Sequence, residues 1–226
     1  MCAQGRCATR LRYAPTVSII AIFAASGSAS TAPRSDGLHS CQYNEFFMMG
    51  LMYAAVTYVR SPAGIFVEEL RRELHPAHTH ADAHITILPP RQLQGTEEQA
   101  IQQLRDICRS SSPFEVTMGD VETFIPSTPT VFIRVAHGAY RIRELHEHLN
   151  RGALRCKEPW PYMPHLTIVK MDTVEEARKV VALARPRWDN CEDSRKVPIA
   201  SVTFVKGTGE RWIDLANIPL GYVPTS

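Results

Sequence analysis

The stretch Ala83-His84-Ile85-Thr86-Ile87-Leu88-Pro89-Pro90 is an apolar, largely β-branched run that carries two polar residues, His84 and Thr86. A β-strand has a side-chain period of two, so these two side chains share one face of the predicted strand. The two isoleucines lie on the other face and are expected to pack into a core. The two prolines cannot donate to a ladder, which predicts that the strand ends there or lies at a sheet edge.

A second stretch, Pro164-His165-Leu166-Thr167-Ile168-Val169, repeats this arrangement after a stiff, aromatic segment. Its polar pair is His165 and Thr167. A single histidine on an apolar strand is most often an ordinary core or surface residue, and one His-x-Thr triplet has almost no specificity. Two copies, each inside a hydrophobic strand and each flanked by proline, indicate a shared function.

The order of predicted elements from residue 50 onward suggests a weak internal repeat. It is βαβαβ followed by βαβαβ and one further strand, with a His-x-Thr pair on the second strand of each half. Capping boxes at Thr96 and Thr173 open the helix that follows each motif strand. Two such lobes could bring the motif strands face to face across a cleft. Besides the motif strands, we predict strands at 51–59, 114–118, 130–136, 197–205 and 213–220, and helices at 63–74, 96–110, 140–149 and 173–184.

Residues 1–47 differ from the remainder and are predicted to be an N-terminal extension to a domain at 48–226. Three arginines precede a short apolar run, and small residues follow up to residue 32, which is the outline of a secretory signal. The alternative is an upstream extension from a misplaced start codon, with methionines at 48, 49 and 52. We expect a cytoplasmic protein, or an exported one if residues 1–32 are a true signal.

Composition narrows the classes of function. The 226 residues are 44% hydrophobic and carry a formal net charge of +2, so long-range attraction to nucleic acid or membrane is weak. Any anion site must therefore be local. No CxxC pair occurs among the six cysteines, which disfavours a zinc ribbon. We expect a monomer without membrane contact.

Two histidines and two hydroxyls suit in-line displacement at phosphorus. The attacking and leaving oxygens lie on opposite sides of the phosphorus atom, so one group must accept a proton and another must donate one. Histidine does either near neutral pH. Threonine hydroxyls can donate to the non-bridging oxygens, where charge accumulates. This chemistry requires no metal or cofactor.

The two motifs, HITI at 84–87 and HLTI at 165–168, resemble the paired motifs of the 2H phosphoesterase superfamily. This group includes the bacterial RNA 2′,3′-cyclic phosphodiesterases, also called 2′-5′ RNA ligases, and the resemblance covers roughly residues 50–220. It implies an α+β fold with two pseudo-symmetric lobes, mostly antiparallel sheets, outer helices and an active-site cleft between the lobes.

The resemblance also implies an activity, which is metal-independent cleavage of cyclic phosphates or phosphodiesters on RNA ends or small nucleotides. Some members of the superfamily run ligation in reverse. By carry-over, His84 and His165 are the catalytic acid and base, in an order left open, and Thr86 and Thr167 bind the phosphate.

Other candidates flank the motifs. Tyr162 could stack on a base or line the cleft, or could simply be packed. Arg91 and Lys170 could hold a flanking phosphate, but we expect a solvated charge at each, and strand parity places Lys170 on the far face. We expect Phe124 and Trp212 in the core or at the rim.

Two rival functions remain to be considered. The tract with His75, His78, His80, Asp82 and His84 could serve a metal-dependent hydrolase, although this leaves the second motif unexplained. A non-catalytic RNA-binding module would be expected to have lost one of the four motif residues, and all four are present.

Overall fold

Strands and helices alternate along the chain, as the repeat predicts. The computed structural model describes residues 51–74, 82–191, 195–208 and 212–221. In chain order the elements are β1 (Met52–Tyr58), α1 (Pro62–Leu74), β2 (His84–Arg91), α2 (Glu97–Ser110), β3 (Phe114–Thr123), β4 (Thr130–His137), α3 (Ala139–Leu149), β5 (His165–Lys170), α4 (Val174–Asp189), β6 (Lys196–Ile199), β7 (Ser201–Gly207) and β8 (Trp212–Pro219). A short 3₁₀ helix at Gly152–Leu154 precedes β5.

The strands form one sheet in the order β6-β3-β4-β5-β2-β1-β7-β8, and every neighbouring pair is antiparallel. Four strands lie on each side of the seam between β2 and β5. The two lobes are therefore the two halves of a continuous sheet, and the predicted α+β class with antiparallel pairing is confirmed. Strand-helix alternation alone would have suggested a parallel sheet.

The internal repeat is visible in the topology. The unit β1-α1-β2-α2 corresponds to β4-α3-β5-α4, with β2 and β5 at the seam. Both predicted capping boxes are present: the Thr96 hydroxyl accepts from the Gln99 backbone N–H, and the Thr173 hydroxyl accepts from that of Glu176. These caps begin α2 and α4 at equivalent positions after the motif strands.

The predicted strand at 197–205 divides at Ala200 into β6 and β7. β6 pairs with β3 at one edge of the sheet, whereas β7 pairs with β1 near the opposite edge. A single residue can join strands so placed only because the sheet curls toward a half-barrel. The backbone N–H of Leu220, after β8, donates to the Ala200 carbonyl at 2.8 Å and ties the two ends together.

The core forms where the helices pack on one face of the sheet. From the motif strands, Ile85, Ile87, Leu166 and Ile168 belong to this core, each with at most 1% of its surface exposed. The period of two then sends the motif histidines and threonines to the opposite face. We call that side, defined by His84, Thr86, His165 and Thr167, the cleft face.

The first motif strand runs past the two prolines to Arg91, further than predicted. β2 pairs with β5 only at Ile85 and Leu166, so beyond this point the proline nitrogens remove no ladder bond on that side. Register shifts between β1 and β2 accompany the prolines. A bulge-like irregularity thus accommodates residues that a regular central strand would reject.

The predicted extension at residues 1–47 lies outside the described residues, and its boundary stays a prediction. Among the helices in the described ranges, none is long and apolar enough to cross a membrane.

The core makes a first testable prediction. Trp188 on α4 is fully buried, and its indole N–H donates to the Gly119 carbonyl at 2.7 Å. We expect Trp188→Ala to lower the free energy of unfolding by about 3–5 kcal/mol, measured by urea denaturation. Trp160→Ala is the matched control, since Trp160 is 73% exposed, and should cost no more than about 0.5 kcal/mol. Equal losses in the two variants would contradict this account of the core.

Candidate functional site

The sheet brings the four motif residues together at the seam. Pairing of Ile85 with Leu166 in antiparallel register sets His84 beside Thr167 and Thr86 beside His165. Outward from the seam, Tyr58 pairs with His84 and Arg134 pairs with His165. Each histidine thus lies next to the threonine of the other motif.

The repeat alone suggested that the motif strands face each other across a gap, and the structure corrects this. They are hydrogen-bonded neighbours in one sheet, and the site lies on the cleft face where the two halves meet. The sequence repeat could not distinguish these arrangements, because side-chain parity is the same in both.

The two imidazoles are held in the same way. His84 Nδ1 lies 2.8 Å from the Asp82 carbonyl oxygen, and His165 Nδ1 lies 2.7 Å from that of Met163. A carbonyl only accepts, so Nδ1 carries the hydrogen in each neutral ring and Nε2 keeps a lone pair. Both rings are therefore oriented with a basic nitrogen available for proton transfer.

Burial keeps both rings neutral at pH 7. It is the main reason that the pKa of His84 falls to about 4, and the nearby Arg71 guanidinium and His165 lower it further. Burial also lowers the pKa of His165, opposed by the hydrogen bond to Met163. A bound anion would favour the protonated form of either ring and reverse part of this effect.

Aromatic rings line the site on both sides. Tyr58 meets the His84 ring edge-on at 6.5 Å, and Phe124 meets the His165 ring edge-on at 5.1 Å. Phe132, opposite Thr167 on β4, lies 5.1 Å from His165 and stacks on Phe124. We did not predict Tyr58 or Phe132 as site residues, because only the strand register shows which aromatic side chains reach the cleft face.

Tyr162 is packed. Its ring stacks on His146 at 3.9 Å with an interplanar angle of 2°, and its hydroxyl donates to the Thr86 carbonyl at 2.8 Å. Burial raises the pKa of the Tyr162 phenol. Of the two alternatives, packing accounts for these contacts, and Tyr162 supports the backbone of the first motif.

The expectation of a solvated charge at Arg91 is wrong. The residue is 1% exposed, and its guanidinium donates to the Asn150 side chain at 2.8 Å, to the Leu154 carbonyl at 3.0 Å and to the Glu158 carboxylate. Residues 150–158 lead to the second motif strand, so Arg91 anchors that connection. We therefore leave Arg91 out of the proposed substrate contacts.

The parity argument for Lys170 fails because β5 is not regular. Its register with β4 shifts between Thr167 and Val169, so that Ile168 and Val169 both enter the core. This bulge reverses the alternation and places Lys170 opposite Thr130, on the same face as Thr167. Lys170 is half-buried, and burial lowers its pKa.

A cavity of about 520 Å³ opens beside Tyr58, with Thr203, Asn217, Asp214 and Arg60 in its lining. The Tyr58 hydroxyl donates to Asp214 at 2.7 Å, and the Asn217 amide donates to Thr203 at 2.8 Å. The cavity therefore offers fixed acceptors and an exposed guanidinium next to the His84 side of the site.

Most of the tract proposed for the metal-dependent alternative is not among the described residues. Within the described ranges, no group of three or more histidine, cysteine or acidic residues is arranged to hold a metal ion. His75, His78 and His80 lie outside those ranges.

The fold is α+β, and each of the two strands at its seam carries one His-x-Thr motif. A model of the 2′-5′ RNA ligase superfamily matches residues 59–210. The chain therefore belongs to this superfamily of 2H phosphoesterases.

Two relatives are similar in sequence, and one solved structure has a similar fold. A protein of Oceanobacillus iheyensis named as a phosphoesterase is 25% identical over 125 residues, which is 55% of this chain and 73% of the relative. A similarly named protein of Halalkalibacterium halodurans is 27% identical over 118 residues, 51% of this chain and 68% of the relative. The crystal structure of E. coli LigT complexed with ATP matches with a TM-score of 0.50 at 14% identity, covering 76% of this chain and 98% of LigT.

The environment of His84 predicts its titration. We expect its ring resonances in NMR spectra to titrate near pH 4, well below the ordinary histidine value of about 6.5. The unfolded chain accepts this proton at about pH 6.5 whereas the folded protein does not, so the free energy of unfolding should fall as the pH drops from about 6.5 toward 4. His84→Gln assigns the resonance and should remove that part of the decline. A midpoint near 6.5 would contradict the described burial.

Proposed function

We propose that this protein hydrolyses 2′,3′-cyclic phosphates on RNA ends or small nucleotides without a metal, using His84 and His165 as the acid-base pair. The observation that carries the proposal is the arrangement at the seam. The buried imidazole of His84 and the partly buried imidazole of His165 have the same Nδ1–carbonyl anchor, and a threonine of the opposite motif lies beside each. The superfamily assignment supports the same chemistry.

The proposed step is one in-line displacement. One histidine accepts a proton from water through Nε2, and the water oxygen forms a bond to phosphorus. The bond from phosphorus to one ribose oxygen breaks, and the other histidine, protonated, donates its proton to that oxygen. Each proton transfer contributes roughly 10²–10⁴-fold to the rate. Exchange with solvent restores the starting protonation.

The two threonines complete the phosphate site. Their hydroxyls donate to the non-bridging oxygens, and the negative charge of the bound phosphate stabilises one histidine as imidazolium. Lys170 contributes a further positive charge at the end of β5. Phosphate binding and histidine protonation are therefore coupled, which lets rings that are neutral in the free protein act as an acid.

The nucleoside is proposed to extend past Tyr58 into the neighbouring cavity. Asp214 and the carbonyl oxygen of Asn217 supply acceptors for amino groups of a base, and Arg60 supplies a donor. A cavity of about 520 Å³ is large enough for a nucleoside.

Histidine substitutions test the mechanism. His84→Ala and His165→Ala should each lower kcat for a nucleoside 2′,3′-cyclic phosphate by at least about 10²-fold, because each removes one proton transfer. His148→Ala, at an exposed position on α3, is the control and should keep full activity. Assays contain excess EDTA. Near-full activity in either site variant, or loss on chelation with recovery on adding zinc, would exclude the proposed mechanism.

A substrate panel tests the cavity. Cyclic nucleotides, RNA with cyclic-phosphate ends, 2′-5′ oligonucleotides and ADP-ribose cyclic phosphate are compared with abasic ribose 2′,3′-cyclic phosphate. Asn217→Ala should raise KM for the cyclic nucleotides about 2–10-fold, the worth of one hydrogen bond, with little change in kcat. For the abasic compound, the wild type and Asn217→Ala should have the same KM and kcat. A uniform change across the panel would place the nucleoside elsewhere.

A further inference from the structure

The main chain of the second motif is held by a side chain from a distant helix. Arg71, in the last turn of α1, donates through Nε to the Ile168 carbonyl at 2.8 Å and through Nη2 to the Thr167 carbonyl. Arg71 is 6% exposed. Its planar fork therefore contacts two consecutive peptide carbonyls, one of which belongs to the phosphate-binding threonine.

The first motif is held at the equivalent two carbonyls by different chemistry. The Thr86 carbonyl accepts from the Tyr162 hydroxyl, and the Ile87 carbonyl accepts from His146 Nδ1, both at 2.8 Å. His146 lies near the end of α3, which corresponds to α1 in the repeat. Each helix therefore contacts the motif strand of the other half.

These carbonyls need other partners because the pairing between the two motif strands is short. β2 and β5 share only the Ile85–Leu166 pairing, so the residues that follow have no ladder partner across the seam. A buried carbonyl without a partner costs about 1–3 kcal/mol. The side-chain donors offset that cost and fix the backbone that carries the threonines.

The two supports differ in charge. Burial lowers the pKa of Arg71 only to about 10, so the guanidinium stays positive at neutral pH. It contacts the carbonyl of Thr167, the residue beside His84 across the seam, and its charge disfavours protonation of that ring. Other groups lie around His84 as well. His165 from β5 and the Asp82 carbonyl act on the ring, Tyr58 from β1 meets it edge-on, and Glu68 from α1 accepts from the neighbouring Ala83 N–H. Among the causes that act on His84, Arg71 and His165 oppose protonation, whereas the Asp82 carbonyl favours it.

We propose that Arg71 is a positioning residue of the two-histidine site, which holds the phosphate-binding strand of the second motif and makes the two histidines unequal through its charge. The inference rests on the proposed function. With Arg71 nearby, His84 stays neutral and accepts the proton from water. His165, whose protonation is opposed by burial and favoured by the Met163 carbonyl, takes up a proton when phosphate binds and donates it to the leaving oxygen.

The test compares Arg71→Gln, which removes the charge, with Arg71→Lys, which keeps the charge but loses the fork. Arg72→Gln, at the exposed neighbouring position on the same helix, is the matched control. Ring titrations of His84 and His165 are followed by NMR, and the pH profile of kcat/KM is measured for each folded variant.

In Arg71→Gln the titration midpoint of His84 should rise by roughly half a pH unit or more. The midpoint of His165 should change less. The acidic limb of the pH profile of kcat/KM should shift upward together with the His84 midpoint. Arg71→Lys should keep the wild-type titration and acidic limb while kcat falls about 10-fold or more, since one carbonyl loses its donor. Arg72→Gln should match the wild type in every measurement.

An unchanged His84 titration in folded Arg71→Gln would overturn the electrostatic part of the inference, whether or not the protein turns over cyclic phosphates. If Arg71→Gln does not fold, Arg71→Lys still decides the positioning part, because wild-type kcat there would overturn it. If no variant or wild-type protein cleaves any substrate, the proposed function fails, while the NMR titrations still report on Arg71.

Discussion

The backbone pairing of Ile85 with Leu166 joins the two halves of this protein, and the site depends on it. It sets the register of the two motif strands, and that register brings four polar side chains onto one face. The same two residues have no measurable exposure and belong to the core under the helices. A slip of one residue would move every polar group into the core and every apolar group to the cleft face. Burial of these apolar residues therefore also fixes the arrangement of the four polar side chains on the cleft face.

Burial also determines the protonation state of the two histidines. The sheet withdraws both rings from water, which favours their neutral forms, and each Nδ1 is committed to a main-chain carbonyl. A site built in this way changes protonation mainly when an anion enters. In the proposed mechanism, binding of phosphate and protonation of a histidine are therefore one event, rather than two properties tuned by separate residues.

Much of this could be predicted from local pattern. Alternation in HITI and HLTI assigns the faces of residues 84–87 and 165–168 correctly, and the capping boxes at Thr96 and Thr173 locate two helix starts. The local pattern fails where the orientation or burial of a residue depends on the segments that pair or pack with it. The parity of Lys170 is reversed by a bulge defined by β4, and Arg91 is buried because residues 150–158 fold over it. Local periodicity shows no discontinuity at Ala200, where one apparent strand joins both halves of the sheet. The roles of the site residues remain proposals.

The crossed contacts of α1 and α3 have a consequence for engineering the fold. Each half contains a complete strand-helix-strand-helix unit, yet the support for its motif comes from the other half. The chain also passes from one half to the other at Ala200 and is tied there by Leu220. An isolated half would keep its His-x-Thr pair but would lack the donors that shape the backbone around it. The two halves are consequently interdependent, and an engineered single half would need new donors for the carbonyls of its own motif.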